Sequence, residues 1–130
     1  MWQGLICSNP PTECANSTCH VTSLDLSKYN LRGALPDTLS QLELLEKLLL
    51  AENVYISGPI PTSLGDMLSL HTLNLQRNRL TGEIPVSLSN LTNLETLFLD
   101  NNRLSGTLLP ELSRLLNLNS LYLFDNYFTG

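Results

Sequence analysis

The feature that most constrains this chain is a leucine pattern that returns at an almost constant interval. Leu-x-Leu triplets occur five times, 24 or 25 residues apart, which is a period typical of stacked repeats. Because one such unit cannot bury its own apolar edge, neighbouring units must stack so that their leucines form a continuous core. The repetition therefore predicts a solenoid. The triplets begin at Leu24, Leu48, Leu73, Leu97 and Leu121.

Each repeat also carries the signals of one complete coil. Period-two alternation at the triplet predicts a short strand with both leucines buried. Gly and Pro follow, and apolar residues then recur at steps of three, as at Leu88, Leu91 and Leu94. That spacing suits a short 3₁₀ or irregular helical return with one apolar edge. The predicted strands are centred on Asp25, Leu49, Asn74, Phe98 and Tyr122.

Four asparagines follow the triplets at the same offset. An Asn side chain can bond the backbone groups that a tight inward turn leaves unpaired. A stacked column of such side chains would therefore satisfy the buried corner of each coil. This predicted ladder consists of Asn53, Asn78, Asn102 and Asn126.

Three repeats depart locally from this pattern. The first has Tyr29 where the ladder Asn is expected, so its corner is predicted to be held differently. The second is one residue longer than the others and should bulge around Val54 and Tyr55. In the fourth, Leu109 occupies the usual Pro position and Pro110 follows it.

Composition and missing motifs exclude several classes of function. A chain of 130 residues with a net charge of −5 and no run of Lys or Arg fits one domain and disfavours nucleic acid as a partner. No apolar stretch is long enough to cross a bilayer, and no catalytic constellation or kinase loop is present. We therefore expect no enzymatic activity, cofactor or metal, and membrane contact only through a segment outside this chain.

From Val21 to Gly130, the pattern LxxLxLxxNxLSGxIPxxLxxLxxL resembles the plant-specific class of leucine-rich repeat, and the opening WQGLIC resembles the N-terminal cap of that class. The resemblance implies a right-handed α/β solenoid of about five repeats. Its short parallel strands would form the concave side, and 3₁₀ or irregular segments the convex side. A truncated cap would cover residues 1–20 and the repeats residues 21–130, the last one incomplete. Since the family's cap has a Cys where Met1 stands and Gly130 falls within a repeat, we interpret the chain as part of a longer protein.

The three cysteines, Cys7, Cys14 and Cys19, all lie in the cap segment. An odd number fits a lost partner, and three cysteines allow several pairings. The resemblance implies that Cys7 would pair with the Cys missing before Trp2, which leaves Cys14 and Cys19 to form a disulfide. A zinc site made of the three cysteines and His20 is the alternative, but adjacent Cys19 and His20 lack the usual spacing of ligands.

The resemblance also implies a location and two functions. Proteins of this class are secreted or cell-surface receptor-like kinases, receptor-like proteins and polygalacturonase-inhibiting proteins, although this chain carries no signal peptide. Asn16 and Asn90 begin N-glycosylation sequons, the second of which also arises from the repeat pattern. The first hypothesis is a fragment of a receptor-like kinase ectodomain that recognises a peptide or protein ligand, with a co-receptor as a further candidate partner. The second is a secreted defence protein or scaffold similar to the polygalacturonase inhibitors.

Binding is predicted on the concave face, toward its C-terminal half. Residues that alternate with the buried leucines project there, and parallel strands lie about 4.8 Å apart, so Phe98 and Tyr122 should be side by side. Aromatic side chains bordered by acidic residues resemble the anchors of protein interfaces. The alternative is that Tyr122 and Phe124 stand out because later repeats that would frame them are absent. The candidate ligand-binding residues are Asn74, Phe98, Asp100, Tyr122 and Phe124.

Overall fold

The leucine triplets form the first of two sheets in a stack of coils. A computed structural model describes residues 20–130 and the backbone of residues 5–7. Each coil contributes one strand that pairs in parallel with the next, and a short strand near the N-terminus pairs antiparallel with the first of them. The sheet order is β1 (Leu5–Cys7), β2 (Val21–Asp25), β4 (Lys47–Leu49), β6 (Thr72–Asn74), β8 (Thr96–Phe98) and β10 (Ser120–Tyr122).

A second sheet, which the sequence analysis did not predict, runs along one side of the stack. Its strands come from the segment that leads to the Gly of each repeat. Because the same segment recurs in every coil, its backbone groups can pair with the same segment one coil away, in a register shifted by two residues, as where Thr81 pairs with Arg103. The sheet consists of β3 (Arg32–Gly33), β5 (Tyr55–Pro59), β7 (Arg79–Gly82), β9 (Arg103–Gly106) and β11 (Tyr127–Phe128), in that order.

The convex side consists of short 3₁₀ helices, which confirms the interpretation of the three-residue leucine spacing. In the first three helices a Pro in extended conformation precedes the first helical residue, and the fixed φ of Pro suits such an entry. In the fourth, Leu109 takes that place and Pro110 begins the helix. The helices are η1 (Asp37–Gln41), η2 (Thr62–Asp66), η3 (Val86–Asn90) and η4 (Pro110–Arg114).

The core is the predicted column of leucines between the two sheets and the 3₁₀ helices. In the three middle coils both leucines of the triplet are buried, together with apolar residues from the convex return such as Leu64 and Leu88. In the last coil Leu121 is 41% exposed, because β10 is an edge strand and no further coil covers it. Each inner coil therefore depends on its neighbours for burial.

The predicted strand centres were wrong by one residue in the three-residue strands and by two residues in β2. Each residue expected at the centre of a strand of the first sheet is instead the last residue of that strand. Three residues beyond each of the last four of these strands, the residue before the ladder Asn adopts a left-handed conformation, with φ of 57° at Glu52, 54° at Arg77, 56° at Asn101 and 53° at Asp125. Asn and Asp tolerate this region better than Glu or Arg, so the first two of these corners carry more backbone strain.

The ladder asparagines bond the backbone of their own coil and of the preceding one. Asn102 shows the full pattern: its Oδ1 accepts the N–H of Leu80 at 3.0 Å, and its Nδ2 donates to the carbonyls of Leu75 at 2.9 Å and Leu99 at 3.1 Å. The Leu75 carbonyl also accepts from the Nδ2 of Asn78 at 2.9 Å. Successive asparagines therefore share carbonyl acceptors, and this links the buried corners of adjacent coils.

Asn78 lacks one part of this pattern. Its Nδ2 bonds normally, but its buried Oδ1 has no partner among the described residues. In the coils with the regular spacing, this oxygen accepts an N–H from the preceding coil. The extra residue in the second repeat redirects that donor, since the N–H of Ile56 bonds the carbonyl of Asn53 at 2.8 Å instead. The insertion therefore leaves a buried acceptor without a donor.

The first corner, which has no ladder Asn of its own, is held by the Asn of the next coil. Tyr29, at the ladder position, is exposed. The carbonyl of Leu26 accepts from the Nδ2 of Asn53 at 2.9 Å, and the N–H of Leu31 donates to the Oδ1 of Asn53 at 3.0 Å. One fully buried Asn thus serves two coils.

Candidate ligand-binding surfaces

The concave face is the outward side of the first sheet, where side chains alternate with the buried leucines. Phe98 and Tyr122 are paired residues of β8 and β10. Their rings stack with centroids 4.5 Å apart and planes inclined by 16°. Phe124 extends the group, with its ring 5.9 Å from that of Tyr122 and tilted by 48°. The structure thus brings together the three aromatic residues that the sequence placed here.

These rings remain accessible although they contact one another. Tyr122 is 48% exposed and Phe124 57% exposed, while Phe98 is half-buried between its neighbours. Stacked and tilted aromatic pairs at these separations are mutually stabilising. The group therefore presents a preformed apolar surface to the solvent.

Asn74 lies beside this group, since it pairs with Phe98 in the parallel register of β6 and β8. It is half-buried, and its Oδ1 accepts the N–H of Gln76 at 3.2 Å. The amide nitrogen of Asn74 has no hydrogen-bond partner among the described residues. Asn74 can therefore offer a donor next to the aromatic rings.

Asp100 does not border the exposed surface in the way the sequence suggested. It is buried, at 3% exposure, one strand away from Phe124. Its Oδ2 accepts a hydrogen bond from the Nδ2 of Asn101 at 2.8 Å, and its Oδ1 has no partner within residues 20–130. The burial follows from the position of Asp100 between neighbouring coils, which the linear sequence does not show.

The glycosylation and disulfide predictions fall partly within and partly outside the described residues. Asn90 is the last residue of η3 and is exposed. Asn16, Cys14 and Cys19 lie outside the described residues, so the first sequon and the disulfide remain predictions. In the described part of the chain, no group of three or more His, Cys, Asp or Glu side chains is placed to hold a metal ion, and no helix is long and apolar enough to cross a membrane.

Sequence analysis missed a second candidate surface on the side of the stack. Every strand of the second sheet begins with an exposed Arg or Tyr, which we call the arginine–tyrosine edge: Arg32, Tyr55, Arg79, Arg103 and Tyr127. The signal was present in the sequence, because the residue after a ladder Asn is Arg or Tyr in three coils. It was not recognised because these segments were interpreted as turns and not as strands.

The fold is a solenoid with a leucine core, and comparison with known proteins specifies its class. Residues 69–91 and 93–115 match the Leucine Rich Repeat family. A probable LRR receptor-like serine/threonine-protein kinase from Arabidopsis thaliana is 38% identical over 76 residues, which are 56% of this chain and 7% of the kinase.

Two solved structures, both from Arabidopsis thaliana, extend the likeness over nearly the whole chain. The LRR ectodomain of the receptor kinase SOBIR1 is 30% identical with a TM-score of 0.87, and the match covers 98% of this chain and 69% of that one. A chain of the BIR3–SERK2 complex is 34% identical with a TM-score of 0.89, covering 98% of this chain and 65% of that one. The chain belongs to the plant leucine-rich repeat family that includes the SOBIR1 ectodomain. It spans about two thirds of each of these two solved chains and a small part of the matched kinase.

Proposed function

We propose that this chain is a ligand-recognition module of a receptor-like kinase ectodomain at the cell surface, and that it binds a peptide or protein on its concave face. The observation that carries the proposal is the contiguous group of Phe98, Tyr122 and Phe124, two of which are close to half exposed on a rigid sheet. Large aromatic side chains held in place are the residues that most often anchor protein interfaces. The BIR3–SERK2 structure is itself a complex, which supports a protein partner for a fold of this kind.

The polar groups around the rings indicate which ligand would fit. The amide nitrogen of Asn74 offers a donor beside the rings, whereas Asp100 is buried and does not face a ligand. A ligand with an apolar side chain for the rings and a backbone or side-chain carbonyl for Asn74 would bury the surface without leaving this donor unpaired. An extended peptide has both features, because its amides alternate with its side chains.

The test is a selection of random peptides displayed on phage against the folded chain, followed by affinity measurements of the enriched peptides on purified variants. We expect Phe98→Ala and Tyr122→Ala to weaken binding by about thirtyfold, which corresponds to about 2 kcal/mol for an anchor residue. Leu116→Ala is the matched control, because Leu116 is 89% exposed and follows η4 on the opposite side of the coil.

Circular dichroism of each variant would show that the fold is retained. Enriched peptides that bind both aromatic variants as tightly as the wild type would exclude the concave face as the binding site.

A further inference from the structure

The arginine–tyrosine edge has a defined internal geometry. The guanidinium carbon of Arg32 lies 4.4 Å from the centroid of the Tyr55 ring, and that of Arg79 lies 5.6 Å from the same centroid. Both distances are within the range of cation–π attraction. Tyr55 therefore holds a guanidinium of the preceding coil and one of the following coil against its ring. The register of β3 and β5 pairs Tyr55 with Arg32, which places the ring beside that guanidinium.

The arginines of this edge keep their hydrogen-bond donors free within the described part of the chain. The ion pair of Lys28 with Glu52, at 3.4 Å, is the one salt bridge found in residues 20–130. No guanidinium of the edge donates a hydrogen bond to a described residue. A guanidinium stacked on a ring face still has its in-plane N–H groups directed outward, and these match a carboxylate in bidentate geometry.

The charge of this region is opposite to that of the whole chain. The net charge is −5, yet four of the five arginines lie on this side of the stack. Arg77, Arg79 and Arg103 line an open depression with Val54 and Tyr127. Two acidic residues lie at corners on this side, and neither lines the depression. Glu52 is paired with Lys28, and Asp125 lies at the last corner. The local field therefore favours an anionic ligand that the rest of the surface would repel.

Two exposed side chains of the depression, those of Val54 and Tyr127, narrow the class of ligand. Val54 is 45% exposed and Tyr127 67% exposed, at two ends of the same depression. A nucleic acid or polyuronate backbone has no aliphatic group to cover them, whereas a peptide can place carboxylates and apolar side chains alternately. Arg103 pairs with Thr81 in the register of β7 and β9, so Arg79 lies one strand away from Arg103 and two residues along. This offset puts the two arginines within reach of carboxylates on residues i and i+2 of an extended peptide, about 6.8 Å apart.

We propose that the arginine–tyrosine edge is a second binding surface, separate from the concave face, and that it takes an acidic peptide segment of a protein partner in which carboxylates alternate with apolar residues. Arg79 and Arg103 bind the carboxylates, Tyr55 orients Arg79, and Val54 and Tyr127 contact the apolar side chains. The surface does not depend on the aromatic group of the concave face. One chain can therefore engage two segments of a partner, or two partners.

Fluorescence anisotropy tests this assignment with a labelled peptide in which Glu alternates with Leu, and with the same peptide carrying Gln in place of Glu. We expect saturable binding of the acidic peptide that weakens with added salt, and at least about tenfold weaker binding of the Gln peptide. The double variant R79Q/R103Q should lose at least about tenfold in affinity. R114Q is the matched control, since it removes the same charge from η4 and should leave the affinity unchanged.

Three further variants test the role of Tyr55 and the independence of this surface from the concave face. Tyr55→Phe keeps the ring and should bind like the wild type, whereas Tyr55→Ala should bind more weakly. Tyr122→Ala, which removes a concave-face anchor, should retain full affinity for the acidic peptide. The proposal is overturned if R114Q loses as much affinity as R79Q/R103Q, if the Gln peptide binds equally well, or if the acidic peptide does not bind. Tighter binding of polygalacturonate at equal carboxylate concentration would overturn the assignment to a peptide.

Discussion

The missing donor at Asn78 leads to a prediction about two residues that the sequence treats as equivalent. Asn78 and Asn102 occupy the same position of successive repeats and are each 7% exposed. Asn102→Ala leaves the buried N–H of Leu80 without a partner, because that N–H donates to the Oδ1 of Asn102 at 3.0 Å. Asn78→Ala leaves no N–H without an acceptor, because the Oδ1 of Asn78 has no partner in residues 20–130. The substitution also removes that unsatisfied oxygen. The two substitutions should therefore differ in their effect on stability.

The magnitude follows from the groups left behind. Some backbone carbonyls accept hydrogen bonds from two successive ladder asparagines. In either variant, each of these carbonyls keeps the bond from the other asparagine. A buried unpaired donor costs about 1–3 kcal/mol, and the net loss of the hydrogen bonds that the Asn side-chain nitrogen donates adds about 1 kcal/mol. We expect Asn102→Ala to lower the free energy of unfolding by about 3 kcal/mol, and Asn78→Ala by about 1 kcal/mol.

Urea unfolding of the whole chain, followed by far-UV circular dichroism, measures both values if each transition is a single step with an unchanged slope. Asn119→Ala, at an exposed position, is a suitable control and should stay within about 0.5 kcal/mol of the wild type. Equal destabilisation by Asn78→Ala and Asn102→Ala would refute the argument, since it would mean that the insertion does not alter the ladder.

Three further predictions concern single features of the chain. Deletion of Val54 restores the regular interval and should raise the free energy of unfolding by about 1 kcal/mol or more, by returning a backbone donor to Asn78; a less stable product in urea unfolding would contradict this. Gly65→Ala should destabilise by about 1–3 kcal/mol or more in the same assay, because the new methyl group would lie 2.6 Å from the Cβ of Ser87 in the next helix; an unchanged midpoint would show that the two helices can separate. When the chain is secreted from plant cells, Asn90 should carry a glycan that is removed by a glycosidase with a shift in mass, and an unmodified Asn90 peptide would count against an extracellular route.

The two proposed binding surfaces differ in their chemistry. The concave face is an apolar surface with few charges, and the arginine–tyrosine edge is a basic one on an acidic protein. Two surfaces of different chemistry discriminate partners better than one, because a ligand must complement both to bind with full affinity. The single-site variants described above separate these contributions.

The sequence by itself determined the repeat, the buried leucines, the 3₁₀ returns and the group of three aromatics. These follow from periodicity, because whether a residue is buried in a stacked coil depends on its position in the repeat. The contact of Phe98 with Tyr122 was predictable for the same reason, since equivalent residues of adjacent coils lie one strand apart.

The tertiary structure alone decided the features that depend on how one coil meets the next. The second sheet exists because turn segments pair across coils, and the burial of Asp100 results from the neighbours on both sides of its strand. The insertion at Val54 was visible in the sequence, but its consequence at Asn78 arises in a contact with another coil. The contacts of Tyr55 with Arg32 and Arg79 likewise join three coils. The stacking of a longer coil on regular ones decides these features, and no local pattern in the sequence encodes them.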